Sequence, residues 1–195
     1  MKIVGVGCGP GMLTGEAIRV IEAAHAIYGS ERAIELARVY IPHNCRVSSI
    51  DDFKSLSRLP EDAVILSTGD PMLAGLGYLA GEVVPGISSL QVAAARLHLP
   101  LARVVVVVAH GKGHEKGILE TILEVKRKKI VFLLTDPKFD VTELYRRLSE
   151  ENLPVPLRVA CCENMGYPNE QIGTGDLETP PMPSAGLYAL VIGQF

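Results

Sequence analysis

Short apolar runs alternate with amphipathic segments along most of the chain. Short runs suit strands buried on both faces of a parallel sheet, whereas apolar residues at helical spacing indicate helices packed on that sheet. In the first half the pattern predicts strands at residues 2–6, 26–29, 63–67, 82–84 and 104–108, and helices at 14–24, 30–39, 72–79 and 88–97. This alternation predicts an α/β fold.

The alternation resumes after the segment "AHGKGHEKG", which interrupts it with three glycines. Beyond this segment the pattern predicts helices at 115–126 and 141–150 and strands at 130–135 and 157–162. The final segments "EQIGTGDL" and "GLYALVIGQF" are strand-like with no helix between them, which indicates antiparallel edge strands. We therefore expect two small α/β domains, residues 1–108 and 114–195, with a hinge at 109–113 and a ligand cleft between the domains.

The charge balance excludes several classes of partner. A net charge of -3 gives no general attraction to nucleic acid or to an anionic membrane, and the basic cluster at 126–129 suits a solvated helix end. The longest wholly apolar stretch, 104–109, is too short to span a bilayer, and no signal-peptide core precedes the first strand, so a cytoplasmic protein is expected. Cysteines without Cys-x-x-Cys spacing indicate reduced, mostly buried thiols and no bound metal. They are Cys8, Cys45, Cys161 and Cys162.

The turn "GVGCGPG", with four glycines in seven residues, separates the first strand from the first helix. A dinucleotide-binding Gly-x-Gly-x-x-Gly pattern fails, because Pro10 or Met12 occupies the third glycine position in the two possible registers. A phosphate-binding loop also fails, because neither Gly11 nor Gly15 is followed by lysine. The turn still leaves backbone N–H groups at the carboxyl end of a strand. It is therefore either a ligand-binding edge or a tight turn without a ligand.

Two later loops, "GDP" at 69–71 and "PGISSLQ" at 85–91, also follow predicted strands. Asp70 can cap a helix that has Pro71 at its first position, or it can offer its carboxylate to a ligand. Ser88 or Ser89 can likewise cap the following helix. Each loop taken alone is adequately explained by helix capping.

Taken together and in this order, the three loops resemble those of the tetrapyrrole methylases, the S-adenosylmethionine-dependent enzymes of corrin and sirohaem synthesis. The resemblance covers essentially the whole chain. It implies that S-adenosylmethionine lies in the interdomain cleft as the methyl donor. The cofactor-binding residues that it implies are Cys8, Pro10, Gly69, Asp70, Met72, Leu73, Ser88, Ser89 and Leu134.

The first turn departs from the family pattern, which is Gly-x-Gly-Pro-Gly followed by a few residues and Leu-Thr. An alignment with one deleted residue puts Cys8 at the proline position, whereas aligning Pro10 there requires three deletions. The alignment with one deletion is favoured.

Within the family, the segments "PGISSLQVAAARLHLP", "HGKG", "FLLTDPKFD" and "CENMGYPNEQI" are most similar to members that methylate carbon 5 of a corrin precursor, cobalt-precorrin-7 in the anaerobic route. This resemblance implies a tetrapyrrole substrate and a homodimer. Because the two small domains use all residues from 1 to 195, we expect methylation of carbon 15 and decarboxylation to belong to a separate polypeptide.

Methyl transfer from a sulfonium needs an acceptor carbon held in line with the methyl group, so no protein nucleophile is expected. His110 is the candidate general base; alternatively it binds a substrate carboxylate or is simply solvated. Lys112, His114 and Lys116 are expected to form a positive rim for the carboxylates of the substrate.

Two other functions stay open. A methylase of the same fold could act on another precorrin, on diphthine or on ribosomal RNA, although the charge balance does not favour RNA. The chain could also be a non-catalytic nucleotide-binding module. Binding of S-adenosylmethionine without turnover on any tetrapyrrole would support that function.

Overall fold

A computed structural model describes residues 1–50, 56, 59–151, 153 and 156–195. These residues form two compact units, Met1–Ser89 and Leu90–Phe195. Within the described residues, each unit contains a five-stranded sheet with helices. The predicted α/β fold is therefore confirmed.

The first unit is built on a parallel sheet with the strand order β3-β2-β4-β1-β5. Its strands are β1 (Lys2–Gly5), β2 (Ala26–Gly29), β3 (Arg46–Ser49), β4 (Val64–Ser67) and β5 (Glu82–Val84), and its helices are α1 (Gly15–Glu22) and α2 (Glu31–Ala37). Because the strands are parallel, all their carboxyl ends lie at one edge of the sheet. The loops that follow β1, β4 and β5 therefore share that edge.

Side-chain caps fix where the first two helices begin. The Thr14 hydroxyl accepts a hydrogen bond from the N–H of Ala17 at 3.1 Å, and the Ser30 hydroxyl accepts one from the N–H of Ala33 at 3.3 Å. Each bond satisfies an N–H group that has no partner within its helix.

The helix predicted at 72–79 is wrong, because the chain forms successive turns there. Gly77 donates its N–H to the carbonyl of Pro71 at 2.8 Å, and a Cβ at Gly75 would lie 2.9 Å from that same oxygen. Two glycines in this tight path oppose a regular helix, since glycine costs about 1 kcal/mol relative to alanine in a helix interior. The pattern also missed β3, whose residues are all exposed at the sheet edge and so carry no hydrophobic signal.

The second unit is built on a mixed sheet with the strand order β6-β7-β10-β8-β9. Pairing is parallel between β6 and β7 and antiparallel at the other three interfaces, which confirms the predicted change to antiparallel pairing. The terminal strand β10, however, lies in the middle of the sheet and not at its edge. The elements are α3 (Ser89–Leu97), which begins at the unit boundary, β6 (Val104–Ala109), α4 (His114–Lys126), β7 (Ile130–Thr135), α5 (Val141–Glu150), β8 (Arg158–Glu163), β9 (Gln171–Gly175) and β10 (Tyr188–Gly193).

The division between the units falls earlier than the predicted hinge at 109–113. Strand β6 pairs with β7 along its whole length, from Val104 with Ile130 to Ala109 with Thr135. The segment 109–113 therefore lies inside the second unit, directly after its first strand. A run of valines indicates a buried strand, but it does not reveal which of two sheets the strand joins.

The cysteines of β8 lie in the core of the second unit. Adjacent strand residues point to opposite faces, so Cys161 and Cys162 face the two sides of the sheet, and both are buried. Burial raises the pKa of each thiol to about 12, with nearby acidic groups adding to the shift. Cys8 is also buried and Cys45 is half-buried, and all four cysteines are free. These positions confirm the prediction that most of the thiols are buried.

Candidate active site

The glycine-rich turn after β1 is joined by backbone hydrogen bonds to the loops after β4 and β5. Gly69 donates its N–H to the carbonyl of Gly7 at 2.8 Å, and Gly7 returns a longer bond to Gly69 at 3.3 Å. Cys8 donates its N–H to the carbonyl of Ile87 at 2.9 Å. The positive φ values of Gly7 and Gly69, 81° and 69°, suit glycine. The three loops singled out from the sequence thus form one cluster at the carboxyl edge of the first sheet.

Two glycines, Gly5 and Gly86, allow these loops to pack backbone against backbone. A Cβ at Gly86 would lie 2.1 Å from the carbonyl oxygen of Gly69, and a Cβ at Gly5 would lie 2.6 Å from the nitrogen of Gly86. Both distances are shorter than real Cβ contacts, so neither site accepts a side chain. Gly11 differs, because it has a positive φ of 74° but open space where a side chain would lie. The loops are therefore close-packed at their base and open at the tip of the turn.

The carboxylate of Asp70 holds two of the loops together. Its Oδ1 accepts the N–H of Met72 at 2.8 Å, and its Oδ2 accepts the N–H of Gly86 at 3.0 Å. The first bond is the capping bond that the sequence predicted, although it caps a turn and not a helix. The second bond, to the loop after β5, was not predicted. Carboxylate oxygens can each accept more than one hydrogen bond, so Asp70 keeps acceptor capacity for a ligand.

The other residues predicted in the first unit differ in accessibility. Cys8 and Ser88 are buried within the loop cluster, and the Cys8 thiol donates to the Met12 sulfur at 3.5 Å. Pro10 and Met72 are exposed, Met72 to 69%. The remaining two, Leu73 and Ser89, are half-buried. The structure therefore brings Cys8, Gly69, Asp70 and Ser88 together, and it places Pro10 and Met72 at the surface.

A second loop cluster lies at the carboxyl ends of β6 and β7 in the second unit, centred on Asp136. Its Oδ2 accepts the N–H of Gly111 at 2.6 Å and lies 2.9 Å from Nε2 of His114, while its Oδ1 accepts the N–H of Lys138 at 2.8 Å. The hydrogen bond from His114, followed by those from the two backbone N–H groups, holds the pKa of the Asp136 carboxyl well below its usual range. Asp136 is therefore ionised at neutral pH.

The predicted residues of the second unit lie in or beside this cluster. His110 is exposed, and its ring makes no hydrogen bond within the described part of the chain. The side chains of Lys112 and Lys116 are also exposed. Leu134 is half-buried on β7, between Val108 of β6 and Ala189 of β10.

Asp136 was not predicted as a site residue, although the sequence carries a signal for it. In the segments "GDP" at 69–71 and "TDP" at 135–137, the aspartate comes soon after the end of a largely buried strand, β4 in the first unit and β7 in the second. In both, one carboxylate oxygen accepts the N–H two residues ahead and the other accepts a glycine N–H from another loop. The repeated Asp-Pro after a strand could therefore have identified both turns.

Among the described residues, no group of three or more histidine, cysteine, aspartate or glutamate side chains could hold a metal ion. Nor is any helix of the described chain long and apolar enough to cross a membrane.

Comparison with known proteins identifies the family. The family model for tetrapyrrole (corrin/porphyrin) methylases matches residues 2–181. A protein of Methanocaldococcus jannaschii, named as a probable cobalt-precorrin-7 C(5)-methyltransferase, is 29% identical over 191 residues, covering 89% of this chain and 88% of the relative. The precorrin-6Y C(5,15)-methyltransferase (decarboxylating) of a Sinorhizobium species is 32% identical over 57% of this chain and 30% of its own length.

Solved structures agree with this result. The crystal structure of the precorrin-6Y methylase CbiE from Archaeoglobus fulgidus has a TM-score of 0.74 and 30% identity, and the match covers all of this chain and 97% of that protein. The uroporphyrin-III C-methyltransferase of Thermus thermophilus, crystallised with S-adenosylhomocysteine, shares the fold with a TM-score of 0.68 at 21% identity, over 98% of this chain and 90% of that one. The resemblance drawn from the three loops is confirmed, and the chain belongs to the tetrapyrrole (corrin/porphyrin) methylase family.

Proposed function

We propose that the protein is an S-adenosylmethionine-dependent methyltransferase that methylates carbon 5 of cobalt-precorrin-7 in cobalamin biosynthesis. The observation that carries this proposal is the cluster of three glycine loops in a chain of this family. Both relatives near 30% identity that align with nearly the whole chain are named for methylation of such precursors. Relatives that act on other acceptors, such as a diphthine synthase at 14% identity, support the fold alone.

The loop cluster of the first unit fits a nucleoside ligand. Closely packed glycines leave backbone groups uncovered by side chains, and the tip at Gly11 is open. Asp70 supplies acceptor capacity, and Ser88 supplies a hydroxyl in the same cluster. We propose that these groups hold the adenosine and amino-acid parts of S-adenosylmethionine, with Cys8, Pro10, Gly69, Met72, Leu73, Ser89 and Leu134 as the remaining contacts.

The residues of the chain bind and orient the reactants, and none needs to act as a nucleophile. Bound S-adenosylmethionine supplies a methyl group on a sulfonium sulfur; a nucleophilic carbon of the substrate takes this methyl group in line, and the sulfur is the leaving group. The exposed side chains of His110, Lys112 and Lys116 surround the turn after β6 and suit the carboxylates of a tetrapyrrole. We assign them to substrate binding.

Calorimetric titration with S-adenosylhomocysteine tests the binding proposal. We expect one site per chain with a Kd in the low micromolar range, about -8 kcal/mol. The Asp70→Ala substitution should weaken this binding more than it lowers the melting temperature. The matched Asp70→Asn variant keeps an oxygen acceptor, so it should bind more tightly than the alanine variant.

Two results of this titration contradict the proposal. One is the absence of both heat and thermal stabilisation on adding S-adenosylhomocysteine to the unaltered protein. The other is an Asp70→Ala variant that melts far lower but binds unchanged, because Asp70 would then act only as the cap of its turn.

The same proposal limits the reaction to one methyl group. The match to the Sinorhizobium C(5,15) enzyme covers 30% of that enzyme, which supports a correspondence with only part of its activity. We propose that methylation of carbon 15 and decarboxylation are carried out by a separate polypeptide. We also propose that the enzyme acts in the cytoplasm as a homodimer.

A further inference from the structure

His114 makes a hydrogen bond that the turn around Asp136 does not require. The equivalent carboxylate of the first unit, Asp70, holds its turn with two backbone donors, Met72 and Gly86. Asp136 has the same pair of backbone donors in Lys138 and Gly111. The additional bond from His114 therefore orients an imidazole ring that the turn itself does not need.

The partners of this ring determine where its proton lies. Asp136 is ionised and can only accept, so Nε2 of His114 must be the donor across the 2.9 Å contact. In the neutral ring, Nδ1 is then unprotonated and can accept a proton. The ring packs edge-on against Phe139, with centroids 5.4 Å apart and an angle of 80°, and 27% of the His114 side chain is exposed. His114 is thus a fixed and accessible base, whereas the His110 ring has no such orienting bond.

We propose that His114 accepts the proton released when the substrate carbon is methylated, and that Asp136 is its positioning residue. This inference rests on the proposed function. A carbon–carbon bond forms as the sulfur–methyl bond breaks and leaves its electron pair on sulfur. The hydrogen that the methyl group replaces leaves as a proton, and its electron pair returns to the macrocycle. Nδ1 of His114 takes up this proton and later releases it to water.

The other titratable groups described near His114 are poorly suited to accept this proton at neutral pH. Burial raises the pKa of Tyr188 on β10, and Asp136 adds to this shift, so the phenol stays protonated. On the same helix as His114, Glu115 pairs with Arg147 of α5 at 2.8 Å. The nearby Lys112, Lys116 and Lys138 side chains are cationic at neutral pH.

Nuclear magnetic resonance of the free protein tests the orientation without turnover. Long-range proton–nitrogen spectra with ¹⁵N-labelled histidine should show His114 protonated at Nε2 and bare at Nδ1 near neutral pH. Asp136→Asn should reduce the share of that tautomer. A ring protonated mainly at Nδ1 in the unaltered protein overturns the proposal.

Kinetics test the chemical role with cobalt-precorrin-7 and S-adenosylmethionine. The unaltered enzyme should lose kcat/KM at acidic pH as the base becomes protonated. His114→Gln should lower kcat about 100-fold or more while S-adenosylhomocysteine binding is retained. It should also abolish the decrease of kcat/KM at acidic pH, the acid limb of the pH profile. Asp136→Asn should lower kcat less than His114→Gln does, because the ring keeps its basic nitrogen but loses the carboxylate that orients it. Imidazole should partly restore turnover to His114→Ala, which a merely structural role would not allow.

Control variants identify the histidine responsible. His43→Gln makes the same change at an exposed position of the first unit and should leave the rate unaltered. His110→Gln should keep the acid limb. If His114→Gln keeps the limb and a kcat within threefold of the unaltered enzyme, or if His110→Gln loses the limb, the inference fails while the proposed function stands. An unaltered enzyme without turnover overturns the proposed function and this inference with it.

Discussion

At the scale of single residues, the loop cluster needs glycine for two different reasons. At some positions two backbones lie too close for a side chain, and at others the backbone has a positive φ. Gly86 does not need a positive φ, yet it has no room for a methyl group, because the carbonyl of Gly69 and the backbone of Gly5 both press against it. Gly11 needs a positive φ but has ample room. Glycines in one motif can therefore be required for different physical reasons, and substitution can separate them.

Gly86→Ala tests the close packing of the three loops. The added methyl group must push the loops after β4 and β5 apart, and such overpacking costs about 2 kcal/mol. It should also weaken S-adenosylhomocysteine binding, because the Asp70 bond to residue 86 is strained. Chemical unfolding and calorimetry provide the two measurements.

Gly15→Ala is the matched control for that substitution. Gly15 begins α1, and a Cβ there would meet only the flexible end of Arg19 at 3.7 Å. Alanine should therefore leave stability unchanged or raise it by up to about 1 kcal/mol. Equal losses of stability in both variants would contradict the packing account.

At the scale of elements, an Asp-Pro turn in each unit holds the loops at the carboxyl ends of the strands in shape. In the second unit the Asp136 turn connects the ends of β6 and β7 to the start of α4 through three hydrogen bonds. These bonds require the ionised carboxylate. The integrity of this edge should therefore depend on pH.

Stability at acidic pH tests this dependence. The pKa of Asp136 is lower in the folded protein than in the unfolded chain, so its contribution is complete above about pH 4, the unfolded value. It is lost as the pH falls below that value and the folded carboxyl becomes protonated. Asp136→Asn should therefore reduce the loss of unfolding free energy between pH 7 and pH 3. An identical loss in both proteins would show that the turn does not depend on this charge.

The sequence predicted elements well where burial leaves a pattern, and poorly where it does not. Helix α5 and strands β2, β5 and β7 have the predicted bounds. The buried apolar residues of α5 recur at helical spacing, and the three strands are short, mainly apolar runs between turns. The exposed edge strand β3 has no such pattern. The central place of β10 depends on long-range pairing, which local periodicity cannot encode.

The part of the candidate site that is formed by backbone loops could be predicted, whereas a contact between distant side chains could not. Gly69, Asp70 and Ser88 stand in loops whose glycines and prolines mark them in the sequence, and the structure joins those loops. The bond between His114 and Asp136 links residues 22 positions apart. It requires the pairing of β6 with β7, so no local pattern indicates it.

At the scale of the whole molecule, we predict a homodimer. The family resemblance implies it, and the exposed Leu119 and Leu123, one turn apart on α4, support a further apolar contact. Light scattering at micromolar concentration should give a mass about twice the 21.0 kDa of one chain. A mass near that of one chain would contradict the prediction.

Methylation of cobalt-precorrin-7 by the purified protein tests the central claim most directly. With S-adenosylmethionine carrying a ¹³C-labelled methyl group, mass spectrometry should show one added methyl group, and carbon NMR should place it at carbon 5. No carbon dioxide should be released. A product without the label, with the label at another carbon or with two added methyl groups, or any release of carbon dioxide, would contradict the assigned reaction.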